Sequence, residues 1–568
     1  MIGDGFLGRF EAHVVEYPDK VAFIFLGDGE RESARLHYGE LRERALTLAD
    51  HLAVRCPVGE RALLMFPFGP DFIIAFLACL YSGVIAVPVH LPHPRRRDIR
   101  IGGIVADCAP RMVLTNRATR SRLAERLAQD AGLGNDHYLA IDDLPETVQR
   151  RRFTPTTEID PNQIAFLQYT SGSTLSPRGV CVTHAMLAVN QAMIQEKMGT
   201  HRGTVYVSWL PTHHDMGLIG DTLNPLWCGG YAVKLPPAAF IQHPRRWLLA
   251  TSNWGGTIIG GPNFAFDLCR HRISAEQWRE FDLRSLEICY CGAEPIRVET
   301  IAGFLSVAEA AGFQPETFGT CYGLAEATLF VVGRKGLRTL AVASDHFHNH
   351  RISSPDVDAE ALSLVSSGFP TAACDVAIVD PESARRAPPD CVGEIWVSGE
   401  HVAQRYWTWT EAGQTVFDGR LDDGRRYLRT GDLGFIHDGE LFVTGRIKDL
   451  IIIRGRNIYP QDLEHVAQAA HPVLRACSGA AFAIERDGQE DVCLVHESLR
   501  IAGREQRAEA QDAVRRAIVE MFEIPVRDVI VVPPGRLPMT TSGKVQRSKS
   551  REWYLSGKFV DSANVGEV

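Results

Sequence analysis

The sequence predicts an α/β fold: a large region of parallel-type sheets with flanking helices, followed by a small α+β domain. Three observations carry that prediction. Short apolar runs alternate with amphipathic stretches of helical period through the first half of the chain, the pattern of a parallel sheet covered on both faces. Several of those runs end in clusters of glycine, hydroxyl residues or a single acid, where backbone N–H groups face a ligand. At 568 residues the chain is too long for one core, so roughly two to four domains are expected.

Composition narrows the class. Hydrophobic residues make up 45% and charged residues 23%, ordinary values for a globular protein. A net charge of -9 argues against a nucleic-acid or membrane-surface partner. The 13 cysteines are odd in number and scattered, with no CxxC pair, and read as reduced core residues. The N-terminus lacks the basic and apolar regions of a signal peptide. The longest apolar runs, near 72–80 and 83–89, are too short for a bilayer span. A cytoplasmic enzyme without stable membrane insertion is expected.

In chain order, residues 6–17 read as a helix, 21–26 as a strand and 38–52 as a helix. A strand (61–65), a helix (71–82) and a strand (84–89) follow, and 104–145 repeat the alternation. The segment PHPRRR, 92–97, is a solvated loop or a docking patch for an acidic partner. Then comes QYTSGSTLSPRGVCVT, from Gln168 to Thr183, placed directly behind the apolar run 164–167. Its Thr170, Ser171, Gly172, Ser173 and Thr174 are short donors that can close on a polyphosphate. The other reading is a Ser/Thr-rich surface turn. It is not a Walker A loop, because no Gly-Lys-Ser/Thr follows.

Further along, His213, His214 and Asp215 follow an apolar strand. A metal site is one reading, but adjacent histidines on a strand point to opposite faces. GGPNF, 260–264, opens a helix with proline at its start. Phe264, Phe266 and Leu268 on it are either core or the wall of an apolar tunnel. Residues 288–295 read as a buried strand ending in a tight turn at GAEP, and 320–327 set Glu326 in an apolar run. An acid there is expensive unless paired or bound to a cation, and a magnesium ligand beside phosphates is its natural role. Residues 427–434 read as a turn carrying Asp432, suited to ribose hydroxyls. GRIKD, 445–449, crowds charges between two strands and suggests a domain boundary. A helix (460–470), strands (480–483 and 492–496), a helix (509–522) and a strand (528–532) then make the α+β domain. It ends in LPMTTSGKVQR, where Lys544 is a solvated lysine unless the other motifs recruit it to phosphate.

YTSGST, GAEP, YGLAE, RTGDLG, GRIKD and TSGKVQR, in this order, resemble the adenylate-forming superfamily of acyl-CoA synthetases, peptide-synthetase adenylation domains and luciferases. WLPTHHDMGLIG, GGPNFAFDLC and YGLAEATLFV look like its fatty acyl-AMP ligases. The resemblance implies a large domain, 1–447, with a small β subdomain, and a mobile C-terminal domain, 448–568, hinged near Lys448. It implies ATP and Mg2+ as cofactors, a fatty acid as substrate and a holo acyl carrier protein as acceptor. By the same resemblance, Thr170, Ser171, Gly172, Ser173 and Thr174 hold phosphates and Glu326 binds magnesium. Tyr322 and Gly323 with Gly292, Ala293 and Glu294 line the adenine. Asp432 and Arg446 grip the ribose, and Lys544 bridges carboxylate and α-phosphate. His214 stands between nucleotide and acyl pockets, the latter walled by Met216, Phe264 and Phe266. Leu175, Arg178 and Arg405 stand where relatives have glycine, lysine and glycine.

Residues 333–368 occupy the position of an insertion that those ligases carry. Leu340, Val342, Phe347, Ile352, Leu362 and Val365 argue against a disordered linker there. They predict an ordered segment docked on the large domain. His346, His348 and His350 alternate with Phe347 and Asn349, which reads as a solvated strand or, alternatively, as metal ligands.

Overall fold

The computed structural model describes residues 5–92, 99–145, 159–170, 177–356, 361–453, 456–486, 489–540 and 543–559. The sheets and contacts below are those formed among them. The basic segment 93–98, and Ser171 to Leu175 of the hydroxyl-rich loop, lie outside the described residues. The chain makes two compact units: Met1–Leu337, Ser367–Ala377 and Trp396–Thr430 form the first, and Arg338–Ser366, Ile378–Ile395 and Gly431–Val568 the second. Lys448 falls inside the second unit. No described helix is long and apolar enough to cross a membrane.

The first unit is α/β, as the alternation predicts. A nine-stranded sheet runs Phe369–Pro370, Phe330–Lys335, Phe318–Gly323, Ile288–Cys291, Ile258–Gly261, Val205–Ser208, Tyr231–Lys234, Val21–Leu26, Glu32–His37. Its middle six strands are parallel, and antiparallel neighbours close both edges. A six-stranded sheet runs Tyr138–Ala140, Met112–Thr115, Arg61–Leu64, Ile85–Pro88, Ile164–Thr170, Arg178–Thr183. It is parallel except for the last pair. Helix Asp71–Ser82 is buried along nearly its whole length, as expected of a helix that is apolar all round. Strand Glu32–His37 is absent from the pattern of the sequence because only Leu36 of its six residues is buried. The edge strand therefore carries no apolar alternation to recognise.

The second unit is α+β. Leu474–Arg486, Gln489–Ser498 and Val526–Val532 form a three-stranded sheet packed on helices Pro460–Ala469 and Arg504–Phe522. The insertion is ordered where described. Thr339–Ala343 pairs antiparallel with Ala361–Val365, and Ser344–Phe347 is a short helix. The expected histidine strand is therefore a helix and turn: His346 sits on the helix, with Nδ1 2.6 Å from Ser353 Oγ. Val342 and Phe347 join Val392, Leu433, Phe435, Phe442 and Tyr459 in one apolar cluster, with Leu340, Ile352 and Leu362 packed against it. The docking surface thus includes Tyr459, beyond residue 447. The Phe347 and Tyr459 rings stack at 5.2 Å.

None of the thirteen cysteines forms a disulfide, and the ten that are buried pack as small apolar groups. The core also holds titratable groups. His184 begins helix His184–Met198, capped by the Thr183 hydroxyl, which accepts from the Met186 N–H at 3.2 Å. The imidazole is only 7% exposed, and burial lowers its pKa to about 4, with Asp160 acting weakly the other way. Above pH 6.5 the ring is neutral in folded and unfolded chains alike. Below it, the unfolded chain takes up the proton first, so stability falls until the pH passes about 4. The His184 contribution to that loss is roughly 3 kcal/mol. Urea denaturation of wild type and His184→Gln between pH 4 and 7 checks this: the variant loses distinctly less stability over that range.

Candidate active site

Parallel pairing sets the floor of the site in the first unit. Gly261, Cys291 and Thr320 are level across three neighbouring strands. The GAEP and YGLAE segments therefore leave the sheet side by side. Such a carboxyl-end edge is where ligands of open α/β sheets bind. Gly323 has no room for a side chain, since a Cβ there would lie 1.8 Å from the Leu329 carbonyl oxygen. Ala293 follows Gly292 at φ +70, and Thr328, two residues past Glu326, lies at φ +64 and ψ -59. The Leu329 N–H donates to the Ala327 carbonyl at 2.7 Å, closing a γ-turn of the strained hand around Thr328. Strain of this kind in a β-branched residue persists only where its surroundings impose it.

Glu294 caps the helix that carries Phe264. Its Oε1 accepts from the Phe264 N–H at 2.6 Å, at the first turn of Asn263–Arg272. A carboxylate there offsets an orphan donor and the positive end of the helix dipole. Phe264 is half-buried with its ring 6.0 Å from Trp209. Phe266 is fully buried, with its ring against Trp247, Phe304 and Phe318. It is therefore a residue of the core.

The two histidines do not lie on a strand: strand Val205–Ser208 ends before them, and they sit in a turn. Their side chains are therefore not forced to opposite faces. His214 Nδ1 is 2.6 Å from Asp215 Oδ1. Asp215 also accepts from the Met216 N–H at 2.7 Å. Burial lowers the pKa of His213 far below its usual value, and its ring lies 5.7 Å from that of His90. Gln168, on the strand leading to the hydroxyl-rich loop, donates to the His213 carbonyl at 3.1 Å. That bond ties Thr170 and His214 to one region of the first unit. No three His, Cys, Asp or Glu side chains gather around a metal position among the described residues.

Met216–Leu223 is a wide, π-type helix, a form frequent at functional sites. Beneath it lies a buried network that sequence reasoning missed. Lys234 Nζ donates to Thr222 Oγ1 at 3.1 Å and to the Asp221 carbonyl at 3.3 Å. Tyr290 donates to Asp221 Oδ1 at 2.5 Å. Burial pulls the Lys234 pKa down to about 8, and the Asp221 carboxylate opposes that shift. The only sequence signal was two charges in apolar surroundings, GLIGDTL and YAVKLP.

Glu326 is half-buried and paired. Tyr406 donates to its Oε1 at 2.9 Å, and the Arg178 guanidinium lies 5.3 Å from the Tyr406 ring centroid. Arg405 is exposed and is not in the left-handed region. Arginine therefore stands there without strain in place of the usual glycine.

The expected turn at 427–434 is instead the middle of strand Arg426–His437. Gly431 at φ +71 gives the segment its turn-like composition, but the ladder continues past it. Asp432 is register partner to Arg446, and the two form an ion pair at 2.9 Å. The carboxylate is buried and the guanidinium largely exposed, an arrangement able to bind vicinal hydroxyls. Lys544 closes a tight turn, its N–H donating to Thr540 Oγ1 at 2.9 Å. Three residues on, Arg547 donates to both Glu464 oxygens at 2.6 and 2.8 Å and to Asp449 at 3.3 Å. Arg547, also missed from sequence, thus fastens the Lys544 turn to the GRIKD segment.

A carboxyl-end sheet edge carrying a tethered acid suits a nucleotide-dependent adenylating ligase. The AMP-binding enzyme family model matches residues 10–407, and the chain belongs to that family. It is 38% identical over 94% of its length, and 92% of the relative's, to the medium-chain-fatty-acid–[acyl-carrier-protein] ligase JamA of Moorena producens. It is 34% identical over 95% of its length, and 92% of the relative's, to the long-chain-fatty-acid–AMP ligase FadD32 of Mycolicibacterium smegmatis. Among solved structures, the fatty acyl-adenylate ligase from L. pneumophila, in complex with acyl adenylate and pyrophosphate, is similar at TM-score 0.76. That likeness has 36% identity and covers 97% of this chain and 96% of that one.

Replacing Glu294 with alanine is expected to cost about 1–2 kcal/mol of stability through loss of the cap. Glu294→Gln, which keeps an acceptor, recovers part of it. Urea denaturation of the two variants measures the difference.

Proposed function

We propose that the protein activates a fatty acid with ATP to the acyl-adenylate and passes the acyl group to the phosphopantetheine thiol of a carrier protein. A carboxylate oxygen attacks the α-phosphorus as the bond to pyrophosphate breaks. The carrier thiolate then attacks the acyl carbonyl, and AMP leaves. Positioning and electrostatics carry most of such catalysis. In this reading Thr170 with Ser171, Gly172, Ser173 and Thr174 receives the β- and γ-phosphates, and Tyr322 and Gly323 with Gly292 and Ala293 receive the adenine. Asp432 and Arg446 take the ribose, Lys544 spans carboxylate and α-phosphate, and Lys448 is the hinge. His214, Met216 and Phe264 face the acyl group. Magnesium would be held by Glu326 and supply charge neutralisation at the phosphates. A single carboxylate suits an ion that takes one or two carboxylates alongside phosphate oxygens and water.

The observation that carries the choice of acceptor is the docked insertion. Asn457 donates to the His348 carbonyl through both backbone and side chain at 3.1 Å, and Phe347 stacks on Tyr459. These contacts reach residues beyond Lys448 and would resist a rotation that admits free CoA. The relatives named for ligation to acyl-carrier protein or to AMP support the same reading.

The test supplies the pure protein with ATP, magnesium, dodecanoic acid and either CoA or a holo carrier protein. The expected outcome is a thioester on the carrier and little on CoA. Phe347→Ala, which removes the stacked ring, should raise CoA thioester formation on the order of tenfold, the effect of about 1.4 kcal/mol off the docking equilibrium. Efficient acyl-CoA formation by the intact protein would make it an acyl-CoA synthetase instead.

A further inference from the structure

Residues 401–407 bind two separate parts of the first unit together. At one end, the Thr328 hydroxyl donates to the His401 carbonyl at 2.7 Å, and the Ala403 N–H donates to the Glu326 carbonyl at 2.8 Å. At the other, the Trp407 N–H donates to Gly179 at 2.7 Å and the Cys181 N–H to Arg405 at 3.3 Å. Gly179 and Cys181 lie on strand Arg178–Thr183, which returns from the hydroxyl-rich loop. The segment is thus a strap from the base of that loop to the strained turn carrying Glu326. Tyr406 lies on it, bridged by its backbone to Val180. Its ring is held edge-to-face by Phe417 at 4.9 Å and faces Arg178.

We propose that Tyr406 is a positioning residue: its hydroxyl, seated by the strap and the Arg178 side chain, fixes the direction in which the Glu326 carboxylate presents its oxygens. The proposal rests on the reading of Glu326 as the magnesium carboxylate. A phenol that donates to one carboxylate oxygen lowers the freedom of the group without neutralising it, so the carboxylate keeps its charge for a cation. Arg178 lies over the ring, 5.3 Å from its centroid, on the strand to which the strap is bridged. The arginine found in place of the usual lysine therefore belongs to the same device.

The test uses Tyr406→Phe, which retains the ring, its contact with Phe417 and the backbone bridge. Mn2+ is titrated into the full-length protein with a non-hydrolysable α,β-methylene ATP and followed by electron paramagnetic resonance. The same titration is run on wild type and Glu326→Gln, with melting temperatures recorded for all three. The expected result is roughly tenfold weaker Mn2+ binding in Tyr406→Phe. A larger loss is expected in Glu326→Gln, with metal-free nucleotide binding unchanged in both. A Tyr406→Phe curve that superimposes on wild type while Glu326→Gln is shifted overturns the role of Tyr406 alone. If both superimpose, the magnesium reading of Glu326 falls with it. A purely structural tyrosine would move the melting temperature and leave the metal titration where it was.

Discussion

The first unit depends on the level at which its parallel strands end. Because Gly261, Cys291 and Thr320 are register partners, the segments after them must share one edge. Backbone has to pass very close to backbone there. Gly323 can sit against the Leu329 carbonyl only because it has no side chain. A methyl group at that position would drive Phe318–Gly323 away from Phe330–Lys335 and carry the Glu326 turn with it. The strain at Ala293 and Thr328 follows from the same crowding. Pairing in the sheet stores it, as it does at many ligand sites.

Beneath that edge, one buried charge network holds the wall of the site. Lys234 and Asp221 are fully buried, and their cost is offset by hydrogen bonds to Thr222 and Tyr290. Removing one partner of such a group leaves an uncompensated charge, which costs more than the pair itself is worth. The network joins the wide helix Met216–Leu223 to strands Tyr231–Lys234 and Ile288–Cys291. Met216 and the nearby His214 are thereby referred to the same sheet whose strand ends carry GAEP and YGLAE. The second unit uses the same tactic at Arg547, whose fork spans Glu464 and Asp449.

Elements with strong period and composition were legible in the sequence. Helix Asp71–Ser82 and strand Val21–Leu26 coincide with expectation to the residue, because buried apolar runs bounded by Gly or Pro admit few alternatives. Segment Arg426–His437 was not legible as one strand, since a glycine with positive φ looks locally like a turn and only the ladder with Glu440–Arg446 overrides it. The His213–His214 pair misled for the opposite reason: an apolar strand precedes it, and nothing local announces that the strand ends at Ser208. The strand ends at GAEP and YGLAE were visible as strand ends. Their partners were not legible, because Tyr406 is 80 residues from Glu326 in the chain, and Lys234 on a strand meets Thr222 on the wide helix that precedes it. Long-range partners of a lone acid or lysine carry no local signature.

The central claim is that this site makes an acyl-adenylate from an apolar acid, and isotope exchange between pyrophosphate and ATP tests it most directly. Exchange requires the acid, and its specificity reports the pocket. The account predicts exchange that depends on a straight-chain fatty acid and improves with chain length by up to about 0.8 kcal/mol per buried methylene until the pocket is filled. Exchange that needs no acid, or that benzoates or amino acids support better than any fatty acid, would contradict it.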